Sequence, residues 1–174
     1  YGEQTGARTV AVRAPSVYGP RDSGFAVLFR QASFHVLPRI LGERRLSIVH
    51  VTDLVAGMVQ AGDSGRGLYT FTDGPPHPMA ELLDAIADAV GTRVWRMPLP
   101  PPVYVGIVWA WGQLSRIAGS LPPYTTERAR ESVAPDWSCD DVRSRQELGY
   151  VSRIPLKEGM RATAEWYRAQ GLIS

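Results

Sequence analysis

The chain holds few residues whose type and spacing suit chemistry. Its densest glycine cluster is Gly62-Asp63-Ser64-Gly65-Arg66-Gly67. A phosphate cradle needs a strand, then G-x-G-x-x-G, then a helix whose first amides face the phosphates. Here the cluster follows a predicted helix and precedes a predicted strand, so it is a turn. The histidines His35, His50 and His77 are far apart and in no metal-ligand spacing. His50 falls inside a predicted strand and is expected to be structural. Cys139 is the only cysteine, which excludes a disulfide framework and a cysteine-rich metal site. No G-x-S-x-G nucleophile elbow occurs. Asp140 and Asp141 stand paired at a helix start, where they suit the helix dipole better than acid/base work. Lys157 is the only lysine beside 18 arginines, so a lysine-dependent step must use it or find its lysine elsewhere. No catalytic residue and no metal ligand is assigned on these grounds.

The elements that carry these residues alternate between strand and helix. Strands are expected at Thr9–Val12, Leu46–Val51, Leu68–Thr72 and Arg93–Leu99, from their β-branched and aromatic content. The stretch 16–24, broken twice by Gly and Pro, is expected to be a loop. Helices are expected at Phe25–Phe34, after Thr52 and Asp53, and at His77–Val90. The last has Met79, Leu82, Leu83, Ile86, Ala87 and Val90 on one face and Gly91 at its stop. Further helices are expected at Val103–Ile117, Thr125–Val133, Asp140–Leu148 and Pro155–Gln170. This alternation gives an α/β class, with a mainly helical stretch from residue 77 onward. Trp109 and Trp111 lie on the unusually apolar Val103–Ile117 helix. Buried packing is the default for such residues; the alternative is that this helix lines an apolar ligand pocket.

Composition narrows the function classes. The 174 residues are one domain's worth, 44% of them apolar and 21% charged, a globular balance rather than a disordered one. A net charge of +2 with interspersed arginines and carboxylates argues against nucleic acid. The longest apolar run, Val103–Trp111, is far short of the roughly 20 residues of a membrane span, and no secretory leader is visible. A cytoplasmic protein without a membrane partner is therefore expected. The first residue is Tyr1 rather than methionine, which suggests a piece of a longer chain.

Five local motifs, taken in order, resemble one family. Val12-Arg13-Ala14-Pro15-Ser16-Val17-Tyr18-Gly19-Pro20-Arg21 resembles the R-P-x-x-V-Y-G-P segment of the extended short-chain dehydrogenases/reductases, the NAD-dependent epimerase/dehydratase proteins. Ile48-Val49-His50-Val51-Thr52-Asp53-Leu54 resembles their H-V-D-D-L segment. Leu68–Gly74 with the helix after it, Asp140 through Glu147-Leu148-Gly149-Tyr150, and Leu156-Lys157-Glu158-Gly159 to Trp166-Tyr167 resemble their later segments. Together these cover the family's C-terminal half.

The resemblance implies strands of a Rossmann-type sheet plus a mainly helical substrate-binding lobe: residues 1–76 as the end of the dinucleotide-binding sheet with a substrate loop, residues 77–174 as the lobe. It implies NAD or NADP in a full-length parent and a small-molecule substrate. Ala14, Pro15 and Val17 correspond to backbone bordering the cofactor; Ser16, Tyr18 and Arg21, with Arg45, to the substrate side. Asp53 is expected to cap a helix. The family's Tyr-x-x-x-Lys pair is absent: the residues four after each tyrosine are Thr5, Asp22, Asp73, Val108, Arg128, Ile154 and Gly171. Tyr1–Gly6 resembles the far end of the helix that carries the pair, so the acid/base tyrosine and the glycine loop are expected in a missing N-terminal half. Nucleotide-sugar members place an arginine where this chain has Leu46, with Arg45 on the other face of the strand, and another where it has Val133. Losing both diphosphate clamps weakens a sugar-nucleotide reading, and the apolar Val103–Ile117 helix tips the choice between a sugar-like and a less polar alcohol or ketone substrate toward the latter. A non-catalytic small-molecule or protein-binding module is the alternative. Exposed strand edges imply self-association.

Overall fold

A computed structural model describes residues 6–117, 119 and 125–173; the expectation for Tyr1–Gly6 lies, but for Gly6, outside them. Nine short strands and seven helices alternate along these residues. The strands are β1 (Val10–Arg13), β2 (Ser16–Tyr18), β3 (Val36–Ile40), β4 (Arg45–Leu46), β5 (Ile48–His50), β6 (Gly67–Thr70), β7 (His77–Pro78), β8 (Trp95–Leu99) and β9 (Asp136–Trp137). The helices are α1 (Ala26–Ser33), α2 (Val51–Ser64), α3 (Met79–Val90), α4 (Pro101–Ile117), α5 (Thr126–Ser132), α6 (Val142–Leu148) and α7 (Leu156–Ala169).

Three parallel pairs, β1–β6, β2–β5 and β3–β8, carry the α/β character, and β4 is flanked by antiparallel β7 and parallel β9. Parallel pairing is what strands joined by helical crossovers adopt. Strand β5 is buried on both faces, as parallel strands commonly are. Its successive residues face opposite sides, so Ile48 enters one core and Val49 the other.

The larger core gathers Tyr18, Phe29, Leu37 and Ile48 with Leu82, Leu83, Ile86 and Val90 of α3 and Leu156, Met160, Ala164 and Tyr167 of α7. It therefore draws side chains from both sides of residue 76. The face of α3 expected from its spacing is the buried one. Each of its leucines contributes about 1.5–3 kcal/mol by leaving water. Gly91 ends α3 in the left-handed region at φ 73°, where its amide bonds the carbonyls of Ala87 and Asp88. The smaller core joins Val49, Leu54 and Ala61 to Tyr69, Phe71 and Tyr150.

Several expectations are corrected. Residues 16–18 are not loop: the ladder to β5 pulls them into a strand, with Ser16 beside Ile48 and Tyr18 beside His50. Helix α2 starts at Val51, and its cap is His50, whose Nδ1 accepts from the Thr52 amide at 3.3 Å; Asp53 is not the cap. Strand β3 was not foreseen. Trp109 and Trp111 are not buried, and no residue of α4 is.

Candidate functional site

The segment from Ala14 to Phe25 is built as a rigid corner. Ala14 is exposed and Pro15, Ser16 and Val17 are half-buried. The Ser16 amide donates to the Ser47 carbonyl. Gly19 lies at φ 138°, and a Cβ there would stand 2.7 Å from Val51 and 3.2 Å from His50 Nε2, so only glycine fits. Arg21 is exposed in the left-handed region at φ 71°, where non-glycine residues are uncommon. The Asp22 carboxylate then accepts from the amides of Gly24 at 2.8 Å and Phe25 at 2.7 Å, closing the corner onto α1.

Tyr18 is fully buried rather than turned toward a pocket. Its ring stands edge-on to His50, centroids 5.3 Å apart, and Gly159 of α7 packs on its other side. Burial, helped by the nearby Asp73 and Asp53 charges, pushes the phenol far above its ordinary value. The ring thus stays neutral and supports the corner from behind.

Arg45 and Leu46 divide as strand alternation requires. Leu46 packs on the larger core, whereas Arg45 is exposed. Arg45 lines a cleft of about 220 Å³ with Arg39, Arg44, Pro78, Met79 and Leu83. Sequence reasoning missed Arg44. Only 9% exposed, it donates through Nη1 to the Ser132 carbonyl at 2.7 Å, and its Nε has no partner. Burial pulls its pKa down from the ordinary arginine value. The bond to Ser132 reaches the end of α5, and α5 forms one wall of a second, open groove. That groove, about 420 Å³, runs between Pro101, Pro102, Val105 and Trp109 of α4 and Thr126, Arg130 and Val133. A cationic cleft tied to an apolar groove suits a ligand with one polar end and one apolar part.

The remaining candidates are engaged in hydrogen bonds within the fold. His77 Nε2 lies 3.1 Å from both Asp73 oxygens and its Nδ1 3.4 Å from Glu81. The Asp73 hydrogen bond leads in raising its pKa, against burial. His50 is pulled down by burial, which the Asp53 charge opposes. His35 Nδ1 lies 3.1 Å from the Arg93 carbonyl. Asp141 accepts from Thr72 at 2.9 Å and Arg145 at 2.7 Å, while Asp140 accepts from the Val142 amide. Asp53, 3% exposed, receives three donors on Oδ2: Ser152 Oγ at 2.8 Å, and the Arg153 and Ile154 amides at 3.0 Å each. Among the described residues, no three His, Cys, Asp or Glu gather as a metal site.

The chain's relatives agree with this architecture. No known family model matches it. A ceramide reductase of Caulobacter vibrioides is 30% identical over 177 residues, which take in 93% of this chain and 52% of that protein. A decarboxylating sterol-4-alpha-carboxylate 3-dehydrogenase of Dictyostelium discoideum is 26% identical, over 88% of this chain and 48% of that protein. The UDP-glucose 4-epimerase of Thermus thermophilus, solved in complex with NAD, superposes with a TM-score of 0.68 at 20% identity, over 97% of this chain and 49% of that one. The fold is thus that of the Rossmann-type epimerases and dehydratases. In sequence the chain is similar to reductases, dehydrogenases and epimerases of the extended short-chain dehydrogenase/reductase type. It spans about half the length of the curated relatives it matches.

Proposed function

We propose that this chain is the substrate-binding portion of a longer, cytoplasmic NAD(P)-dependent oxidoreductase or epimerase. The parent moves a hydride between the nicotinamide and an alcohol or ketone carbon. The chain supplies pocket walls and neither the acid/base nor the dinucleotide cradle. The observation that carries this reading is the arginine cleft joined through Arg44 to the apolar groove of α4 and α5. It favours a substrate with a polar end and an apolar body over a sugar nucleotide, and the names of the ceramide and sterol relatives support that choice. The NAD of the epimerase complex supports the cofactor class. In this reading the backbone at Ala14, Pro15 and Val17 borders the nicotinamide. Ser16 and Arg21 face the reacting end, and Arg45 the polar end. Tyr18 holds the corner without touching substrate.

Two titrations of the chain test it. NAD(H) in a calorimeter is expected to give no binding tighter than millimolar, and tight binding would contradict the division of labour. A fluorescent long-chain ketone is expected to be retained, and to be released by Val105→Glu in the groove wall. Absence of retention would remove the apolar substrate. The second reading is a binding module without chemistry. It would prevail if a dinucleotide-binding half of the same family, supplied in trans, bound this chain and produced no hydride transfer.

A further inference from the structure

Helix α4 has no buried residue, and its outer face is a continuous run of exposed apolar side chains. Its half-buried side is mixed, with Tyr104, Val105 and Val108 beside Gly112, Gln113 and Ser115. Its outer side carries Val103, Ile107, Ala110, Leu114 and Ile117, all exposed, with Trp111 beside them. A soluble surface helix has the opposite arrangement.

The spacing of this outer row points to its occupant. Residues 103, 107, 110, 114 and 117 follow one another at steps of four, three, four and three, the apolar period of a helix–helix seam. The row runs for most of a 17-residue helix, about 25 Å at the α-helical rise. It is also close to symmetric about Ala110: turned end for end, Val103 lies level with Ile117, Ala110 lies level with itself, and Ile107 comes within one residue of Leu114. A small side chain at the centre lets two helices approach at the short end of their usual 8–10 Å separation. Such a row is complementary to itself, which is the requirement for a two-fold interface.

We propose that α4 pairs antiparallel with α4 of a second copy of this chain through Val103, Ile107, Ala110, Leu114 and Ile117. The area suffices. With exposures from 47% at Val103 to 84% at Ile117, the row and Trp111 offer roughly 600 Å² per copy, hence about 1,200 Å² in the pair, the lower edge of stable interfaces. Charge does not oppose the pairing, since Arg116 is the only charged residue of the helix and is not in the row. A bilayer surface is the poorer occupant. Helices that lie on membranes back their apolar face with a basic one, and α4 has no such face. The pairing also differs from association through strand edges, because it leaves β1 and β6 free. It requires no substrate or cofactor and is independent of the proposed function.

Sedimentation of the 174-residue chain tests the proposal. The expected species has twice the 19.1 kDa of one chain. Ile107→Glu buries a carboxylate in the seam and is expected to weaken dimerisation on the order of a hundredfold or more, with an unchanged far-ultraviolet spectrum. Adding Leu114→Arg is expected to restore the dimer, because in the antiparallel arrangement position 107 comes within one residue, about 1.5 Å along the axis, of position 114 of the other copy. Ala110→Cys in a Cys139→Ser background is expected to cross-link copies on oxidation. A monomeric parent chain, or a dimer indifferent to Ile107→Glu, overturns the proposal. A monomer that floats with phosphatidylcholine vesicles, and loses that property with Ile107→Glu, assigns the row to a bilayer instead.

Discussion

Replacing Asp53 separates two accounts of this residue. Were it a helix cap, Asp53→Ala would cost about 1 kcal/mol and act only on the start of α2. The structure gives it a different task. One carboxylate oxygen accepts from the Ser152 hydroxyl and from the Arg153 and Ile154 amides, across about a hundred residues of chain. Each part-buried donor left without a partner costs about 1–3 kcal/mol. The two amides are fixed by the backbone, whereas the hydroxyl can turn. Two donors at the middle of that range give about 4 kcal/mol, a large share of the 5–15 kcal/mol that holds a domain together. At 2–4 °C per kcal/mol for a chain of this size, the melting midpoint falls by about 8–16 °C. Chemical denaturation followed by circular dichroism reads the loss. Amide exchange reads its location, with protection at Arg153 and Ile154 falling by more than at Thr52. A cost of about 1 kcal/mol with protection unchanged at 153 and 154 would refute the latch and return Asp53 to the helix start.

Other substitutions test the corner and the cleft. His77 has a raised pKa, so its contribution to stability is complete below its ordinary value near 6.5 and is lost as pH rises through the raised one. The stability gap between the parent chain and His77→Gln should therefore narrow as pH increases in denaturation series, and a widening gap would refute the assignment. Tyr18→Phe removes a buried hydroxyl without a partner and should be neutral or stabilising by about 1 kcal/mol. Gly159→Ala places a Cβ 2.5 Å from that hydroxyl and should cost about 1–3 kcal/mol, less when combined with Tyr18→Phe in a double-mutant cycle. Arg44→Ala should cost about 2 kcal/mol through the lost bond to Ser132, whereas Arg45→Ala should fall within about 0.5 kcal/mol; equal costs would contradict the division between a buried and an exposed arginine.

The parts of the fold legible in the sequence are those whose signal is local. Helix α3 shows its face, first turn and glycine stop in twelve residues. Strand β3 does not show itself, because Pro38 at its centre argues against a strand. It persists because β8, with its own Pro98 beside Arg39, supplies a parallel ladder 59 residues away. Strand β2 is three residues long and bounded by Gly19 and Pro20, so nothing nearby distinguishes it from a loop; its partner is β5. The candidate site divides in the same way. Arg45 drew notice through the resemblance, since it stands one residue from where nucleotide-sugar members place an arginine. Its neighbour Arg44 did not, because its burial depends on a carbonyl 88 residues away. The exposure of α4 was equally invisible, since apolar content alone does not say whether a helix has a partner.

The corner at 14–25 takes its rigidity from the far end of the chain. Tyr167 donates its hydroxyl to the Asp22 carbonyl at 2.8 Å, and Gly159 of the same helix receives the Tyr18 ring. Helix α7 therefore braces the segment proposed to border the nicotinamide, while Asp53 anchors the turn that leads into α7. Tyr167→Phe removes one bond of this brace without opening a cavity. It should cost about 1 kcal/mol of global stability. Its larger effect should be local, because a loop opens at a lower free energy than the whole fold. Amide exchange at Ser23 and Gly24 should accelerate more than exchange in α3. Uniform acceleration across the chain would mean that Tyr167 only adds stability, and that the corner is held by the Asp22 carboxylate alone.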